Sequence, residues 1–233
     1  MLRVTTCLFC CLLAAALFGQ PNTALRTLLD TDDAATWRTQ LTYLQGQPLG
    51  NFDGESRDLL SDVLTRPEVQ NHPEIVRLAG FVGVPITREQ LHPEVKLTKS
   101  LKQHLKLASV RLGDEERRAN LLENVRRYET SDDFVYTVVP LLVYTRQREV
   151  LDFLWELVMV DDNRCTTADA ESNGRIPCAY RVVEYLGPAI VDFPVGVDDD
   201  HSLMTDDYEA ALAEIRRWYT AHRTDYRINT ETY

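Results

Sequence analysis

The stretch from Lys99 to Pro194 constrains the fold more than any other part of the chain, because successive segments carry apolar residues at helical spacing. In the first segment, Leu101, Leu105, Ala108 and Leu112 recur at helical steps and predict one apolar stripe. The later stripes are Leu121, Leu122, Val125 and Tyr128; Phe134, Val138, Leu141 and Leu142; Val150, Leu151, Leu154, Leu157 and Val158; and Tyr180, Val183 and Leu186. Each stripe needs a neighbour to cover it, so the pattern predicts an all-α array of stacked helices.

Turn residues separate these segments. Gly113 predicts a helix C-terminus, and Asp114 directly after it predicts the N-cap of the next helix. Ser131 predicts a further N-cap. Pro140 lies inside the following helix, where it removes a backbone donor and should bend the helix.

Two of the helices resemble each other at a fixed offset. Residues 121–125 (LLENV) align with residues 154–158 (LWELV) at a shift of 33 residues. The next comparable turn comes later than this shift requires, because a polar loop lies between Cys165 and Cys178. The pattern indicates an internal repeat with a loop inserted between its units.

The paired helices, the proline at 140 and the Leu112-Gly113-Asp114 turn resemble HEAT-like repeats of the short-period bacterial kind over residues 99–193. The resemblance implies an α-solenoid of antiparallel helix pairs whose concave side binds another protein. A period of 33 is also close to tetratricopeptide and ankyrin lengths, but the characteristic motifs of those families do not occur. A generic helical solenoid or bundle is the alternative.

The first 19 residues have the composition of a secretory signal peptide. Arg3 is followed by the uncharged segment Val4–Phe18, and polar residues come directly after Gly19. The apolar run is shorter than the roughly 20 residues that a membrane-spanning helix needs. We expect cleavage after Gly19 and a secreted or periplasmic protein with no membrane span. An uncleaved signal, which would make this a membrane-anchored accessory domain, is the alternative.

The remaining chain divides into residues 20–98 and 99–233. The first region has helical signals, such as the Thr31-Asp32-Asp33 N-cap ahead of Trp37, but they are irregular and poorly repeated. The second holds the repeats and ends with residues 208–222, which predict a helix that caps the repeat array. The polar tail after this helix is expected to fray.

The chain is acidic, with 36 Asp and Glu against 25 Lys and Arg and a net charge of −11. Nucleic-acid binding depends on neutralising phosphates with Lys and Arg, so this charge argues against a nucleic-acid partner. It argues equally against anionic lipid. It is compatible with high solubility or with a cationic protein partner.

Two cysteines, Cys165 and Cys178, lie outside the predicted signal, and the polar loop lies between them. An exported compartment is oxidising enough for a disulfide bond, so we expect these two to pair. Two unpaired thiols are the alternative. A redox role is disfavoured because the spacing is not Cys-x-x-Cys.

No pattern predicts a catalytic, cofactor-binding or metal-binding residue. The aspartates at 198–200 are consecutive and point in different directions, so they favour a solvated loop over a cation site. Asp169-x-Glu171-x-Asn173-Gly174 copies the first half of a calcium loop, but Tyr180 stands where a bidentate Glu belongs.

Aromatic residues on the repeat helices are the candidates for a binding surface, since aromatic side chains are enriched at interaction hot spots. They are Tyr136, Tyr144, Trp155, Tyr180 and Tyr185. Packing between helices is the competing interpretation. We therefore expect a protein-interaction scaffold without catalytic activity; an exported all-α hydrolase or lyase that uses acidic residues is the alternative.

Overall fold

The computed structural model describes residues 20–162, 164–167, 174–198 and 200–233. The predicted signal peptide, residues 1–19, lies outside the described residues. The described chain is mostly helical with little strand, so the prediction of an all-α protein is confirmed. None of the helices in the described ranges is long and apolar enough to cross a membrane.

The chain forms two compact units. The first ends at His104 and also includes Tyr233, and the second is Leu105–Thr232. Helix α5 (Lys99–Arg111) contains the border between the units. The predicted border, between residues 98 and 99, lies at the start of this helix.

In the described part of the first unit, four helices precede α5: α1 (Pro21–Asp30), α2 (Ala34–Gln45), α3 (Gly54–Leu64) and α4 (Glu74–Val82). Helix α1 packs against α2 and α3, and α4 packs against α2 and α3. Short 3₁₀ turns at Leu49–Asn51, Pro67–Gln70 and Arg88–Gln90 connect them.

Local side-chain contacts determine where these helices begin and end. Asp33 and Asp53 accept hydrogen bonds from the backbone N–H groups of Thr36 (2.7 Å) and Ser56 (2.8 Å), the N-cap arrangement that Asp favours. Gly83 ends α4 with φ of 85°, a left-handed conformation that costs glycine little.

Trp37 lies at the centre of the first unit and is fully buried. Its indole Nε1 donates to the carbonyl of Thr31 (3.1 Å), just beyond the end of α1. Arg66 donates to the same carbonyl (3.2 Å) and to that of Leu29 (2.6 Å). The guanidinium therefore satisfies carbonyls that the end of α1 leaves without helical partners.

The second unit contains α6 (Glu115–Val125), α7 (Asp132–Thr137), α8 (Val139–Tyr144), α9 (Arg148–Val158), α10 (Ala179–Leu186) and α11 (Tyr208–His222). Helices α8, α9 and α10 pack against one another, and α11 packs against α10. Helix α11 has the bounds that the sequence predicts for the terminal helix.

Pro140 has the predicted effect on helix geometry. The helix expected from residue 134 onward is divided into α7 and α8, and Val138 between them has φ of −102°. Pro140 is at the second position of α8, where its missing N–H costs nothing because the first helical N–H groups have no intrahelical acceptor.

In two of the predicted stripes, only some of the residues are buried as expected. Leu112, directly after the end of α5, is 41% exposed, whereas Leu107 and Val110 within α5, outside the stripe, are buried. Past the end of α6, Tyr128 is 65% exposed and Val125 is the buried residue. Periodicity alone therefore does not identify which apolar residues of these two segments are buried.

Four short strands form two antiparallel pairs that the sequence did not predict. Strands β1 (Cys165–Thr166) and β2 (Arg175–Ile176) pair with Cys165 opposite Ile176. Strands β3 (Ile190–Val191) and β4 (Arg227–Ile228) pair with Ile190 opposite Ile228.

The expectation that the tail frays is therefore wrong. Tyr226 is 2% exposed, β4 is paired, and Arg146 holds the chain beyond it. The guanidinium of Arg146 donates to the carbonyl of Asn229 (2.8 Å), to the hydroxyl of Thr232 (3.2 Å) and to the carbonyl of Val143 in α8 (2.6 Å). Burial lowers the pKa of Arg146 to about 9, which reflects how completely these contacts enclose it.

Candidate interaction surface

The structure divides the five aromatic residues proposed as a binding surface into two groups. Trp155 is fully buried and Tyr144 is 4% exposed, so both belong to the core. Trp155 contacts Tyr219, Phe193, Trp218 and Tyr226, with ring centroids between 4.3 and 6.4 Å apart. For these two residues, the competing interpretation of packing between helices is therefore correct.

The other three, Tyr136, Tyr180 and Tyr185, lie near one another. Tyr136 is 52% exposed and acts electrostatically on Arg181 and Tyr185 of α10. Tyr180 and Tyr185 are on α10 itself and are half-buried. We call this region the tyrosine surface and define it as Tyr136, Tyr180, Tyr185, Tyr208, Arg181 and Glu184.

Tyr208, at the start of α11, was not among the predicted residues. Its ring meets that of Tyr180 edge to face, with centroids 6.0 Å apart and an interplanar angle of 88°. With Arg181 and Ile176 these two tyrosines line a cavity of about 280 Å³. Nothing in the local sequence distinguishes Tyr208 from other residues that begin a helix, so only the fold brings it to this surface.

An ion pair lies beneath the tyrosines. Arg181 and Glu184, one turn apart on α10, have side chains that are 19% and 9% exposed and lie 3.3 Å apart. Burial raises the pKa of Glu184, and Arg181 opposes that shift. Burial would lower the pKa of Arg181, but the carboxylate of Glu184 outweighs it and raises that pKa. The pair holds a positive and a negative group at the base of an aromatic surface.

The rim of the tyrosine surface is negative. The pKa of Tyr180 is raised, first by burial and then by the carboxylates of Glu209, Asp161 and Asp207. Arg216 opposes them, but its guanidinium is bound to Asp161 (2.7 Å) and to the carbonyls of Val158 (2.8 Å) and Val160 (3.2 Å) at the end of α9. This rim would attract cationic groups more than anionic ones.

The disulfide lies beside this surface. Cys165 and Cys178 are at disulfide bonding distance, with Cα atoms 5.0 Å apart, so the predicted pairing is present. Asp132 at the start of α7 accepts from the backbone N–H and the hydroxyl of Thr166 (3.1 and 3.0 Å). The β1–β2 pair contributes Ile176 to the cavity. The disulfide holds this pair to the start of α10, and the hydrogen bonds from Thr166 to Asp132 hold it to α7.

Large exposed hydrophobic side chains are confined to the second unit among the described residues. They are Leu112, Tyr128, Tyr136, Met159, Val160, Met204 and Tyr208.

The two metal-like patterns lie only partly within the described residues. Most of the calcium-like segment, residues 168–173, lies outside the described residues, as does residue 199 of the aspartate run. In the ranges that the structure does describe, no three His, Cys, Asp or Glu side chains come together as a metal site.

The fold and the surface define a mostly helical protein in which partly exposed tyrosines lie near acidic side chains. Comparisons with protein-family models, with curated proteins and with solved structures found no match to this chain.

Proposed function

We propose that this protein is an exported interaction module whose tyrosine surface binds a basic segment of another protein. The observation that carries the proposal is the edge-to-face contact of Tyr180 with Tyr208 at a cavity that is also lined by Arg181, the ion-pair partner of Glu184. Tyrosine supplies a large contact area and a hydroxyl at low conformational cost, which suits recognition of a peptide.

Charge supports a basic partner. The carboxylates of Glu209, Asp161 and Asp207 all raise the pKa of Tyr180, and the whole chain has a net charge of −11. A Lys or Arg side chain could lie over an exposed tyrosine ring as a cation–π contact while its charge faces these carboxylates. Electrostatic complementarity of this kind accelerates association and excludes acidic partners.

The same proposal includes the HEAT-like arrangement and the export of the chain. Helices α8, α9 and α10 follow one another in the chain and pack against one another, as helices of a stacked array do. A cysteine pair at disulfide distance favours an oxidising compartment. Intact mass of the protein recovered from the host envelope or medium would test export and cleavage after Gly19; recovery of the full-length chain from the cytoplasm would contradict both.

Selection from a displayed random peptide library tests the binding function. Purified wild-type protein should enrich peptides rich in Lys and Arg, because the rim is acidic. Binding of the enriched peptides should weaken as salt concentration rises. Replacing a hot-spot tyrosine typically costs about 2 kcal/mol or more, so Tyr180→Ala and Tyr208→Ala should each weaken binding by about 30-fold.

The matched control is Tyr128→Ala, since Tyr128 is 65% exposed in the same unit but is not part of the tyrosine surface. It should bind the selected peptides as wild type does. Enrichment of acidic peptides, or equal binding by wild type and Tyr180→Ala, would contradict the proposal.

A further inference from the structure

A second cavity lies entirely within the first unit. It has a volume of about 450 Å³ and is lined by one face of α2 and by the residues that lead into α4. Its polar lining residues are Arg38, Thr42, Gln45, Asn71, His72 and Glu74. The volume is within the range of about 300–1,000 Å³ that is typical of small-molecule sites.

A histidine on an aromatic support forms one wall. His72 is 7% exposed and stacks on the buried indole of Trp37, with centroids 5.1 Å apart and planes at 18°. Burial is the main cause that lowers the pKa of His72, so the ring is neutral at pH 7 and offers one donor and one acceptor. Since Trp37 is itself fixed by its bond to the carbonyl of Thr31, the wall is rigid.

Two opposite charges flank this histidine. Glu74 and Arg38 both act on the pKa of His72, Glu74 raising it and Arg38 lowering it. Within the described part of the chain, neither forms an ion pair; the only hydrogen bond that the Arg38 guanidinium makes there is a long one to the carbonyl of Ala34 (3.4 Å). By contrast, two other arginines of this unit are ion-paired in the described residues, Arg26 with Glu55 and Arg66 with Glu68.

We propose that this cavity binds a small zwitterion of amino-acid or dipeptide size, with its carboxylate on Arg38 and its ammonium group on Glu74. Arg38 can bind a carboxylate through two parallel N–H donors. Glu74 can accept from an ammonium group. The side chain of Asn71 also lines the cavity and offers further polar atoms, whereas the Gln45 amide there already donates to the hydroxyl of Tyr233 (3.1 Å).

Other ligand classes fit the cavity less well. A simple anion would use Arg38 but would leave the carboxylate of Glu74 facing it. A saccharide would need an exposed aromatic face for stacking, whereas Trp37 is fully buried beneath His72. A zwitterion is the class that pairs with both charges at once.

The experiment uses the chain from residue 20 onward and three dipeptides, followed by NMR and calorimetric titration. Alanyl-alanine carries both charges, N-acetyl-alanyl-alanine lacks the ammonium group and alanyl-alanine amide lacks the carboxylate. We expect saturable binding of the first, with shifts at Asn71 and His72, and binding about tenfold weaker for each blocked peptide. No saturable binding, or equal binding of all three, overturns the proposal.

Charge-removing variants test the orientation of the ligand. With Arg38→Gln, alanyl-alanine should bind no better than its amide; with Glu74→Gln, it should bind no better than its acetylated form. The matched controls are Arg57→Gln and Asp58→Asn on α3, which are exposed and outside the cavity and should leave binding unchanged. Because the blocked peptides test each charge on the wild-type protein, the proposal stays falsifiable if a variant fails to fold. Tighter binding of glucose or of inorganic phosphate than of alanyl-alanine would overturn it.

Discussion

The indole of Trp155 stacks on the ring of Tyr219 with centroids 4.3 Å apart and planes at 9°, which joins α9 to α11 through two aromatic side chains. Trp155 is fully buried, so its removal leaves a cavity that neighbouring rings cannot fill. We expect Trp155→Ala to lower the free energy of unfolding by about 3–5 kcal/mol in urea titrations. Tyr136→Ala, an exposed control, should change it by less than about 1 kcal/mol; similar losses for the two variants would contradict this core assignment.

The hydroxyl of Tyr226 donates to Asp152 Oδ1 at 2.8 Å. Burial raises the pKa of Asp152, and the bond from Tyr226 opposes that shift. The native state therefore holds the Asp152 proton more tightly than the unfolded state does, so this group's contribution to stability falls as pH rises above 3.8, its ordinary pKa. Without the donor, the cost of ionising Asp152 should increase.

Tyr226→Phe should accordingly lower the free energy of unfolding by about 1–3 kcal/mol at neutral pH and by less below the ordinary pKa of Asp. Urea titrations of wild type and variant at both pH values measure the difference. Tyr128→Phe is the control and should show no pH-dependent difference. A loss that does not depend on pH would mean that the bond is not coupled to the charge of Asp152.

The bridge between Cys165 and Cys178 closes a short loop, since the two are 13 residues apart in sequence. In the chain-entropy account, a loop of this size stabilises the folded state by roughly 3 kcal/mol. The double variant Cys165→Ser/Cys178→Ser should lose about that amount in thermal or urea unfolding. Reduction of the wild type should produce the same loss, while a reductant should leave the variant unaffected. Sensitivity of the variant to reductant would refute this interpretation.

His104 introduces a pH dependence into the first unit. Burial, followed by the charge of Arg77, lowers its pKa from 6.5 to about 4, and Glu74 opposes the shift. Between these two pH values the unfolded chain binds a proton at His104 and the folded chain does not. The free energy of unfolding therefore decreases as pH falls from 6.5 to about 4. Because the ring is only half-buried, we expect a discounted loss of about 2 kcal/mol.

The variant His104→Gln tests this dependence. Its unfolding free energy should fall less than that of wild type between the two ends of this pH window, whereas the exposed control His222→Gln should follow wild type. Parallel curves for wild type and His104→Gln would show that His104 does not titrate in this way.

Capping residues explain why much of the helical structure could be predicted. Asp33, Asp114 and Ser131 each accept from the backbone N–H three residues later, so their positions mark helix starts directly. Gly113, with φ of 94°, marks a helix end for an equally local reason. By contrast, Ile190 and Ile228 belong to paired strands only two residues long, and the whole of α11 lies between them in the sequence. No local pattern reveals such a pair.

The candidate sites were predicted less completely. The sequence identified Tyr136, Tyr180 and Tyr185 by residue type, but it grouped them with the buried Trp155 because residue type does not report exposure. The cavity in the first unit was missed altogether. Arg38 and Glu74 belong to different helices and form no short motif, so their proximity to His72 depends on tertiary packing.

Arg66, Arg146 and Arg216 each bind carbonyls at the end of a helix, in α1, α8 and α9. A planar guanidinium reaches two acceptors at once, which the single ammonium group of lysine does not reproduce. Core positions can exchange Leu, Ile and Val during evolution at small cost. A change at one of these three arginines would instead remove the hydrogen bonds to carbonyls at a helix end. Distant relatives are therefore expected to share this sparse set of arginines after their apolar residues have diverged beyond recognition.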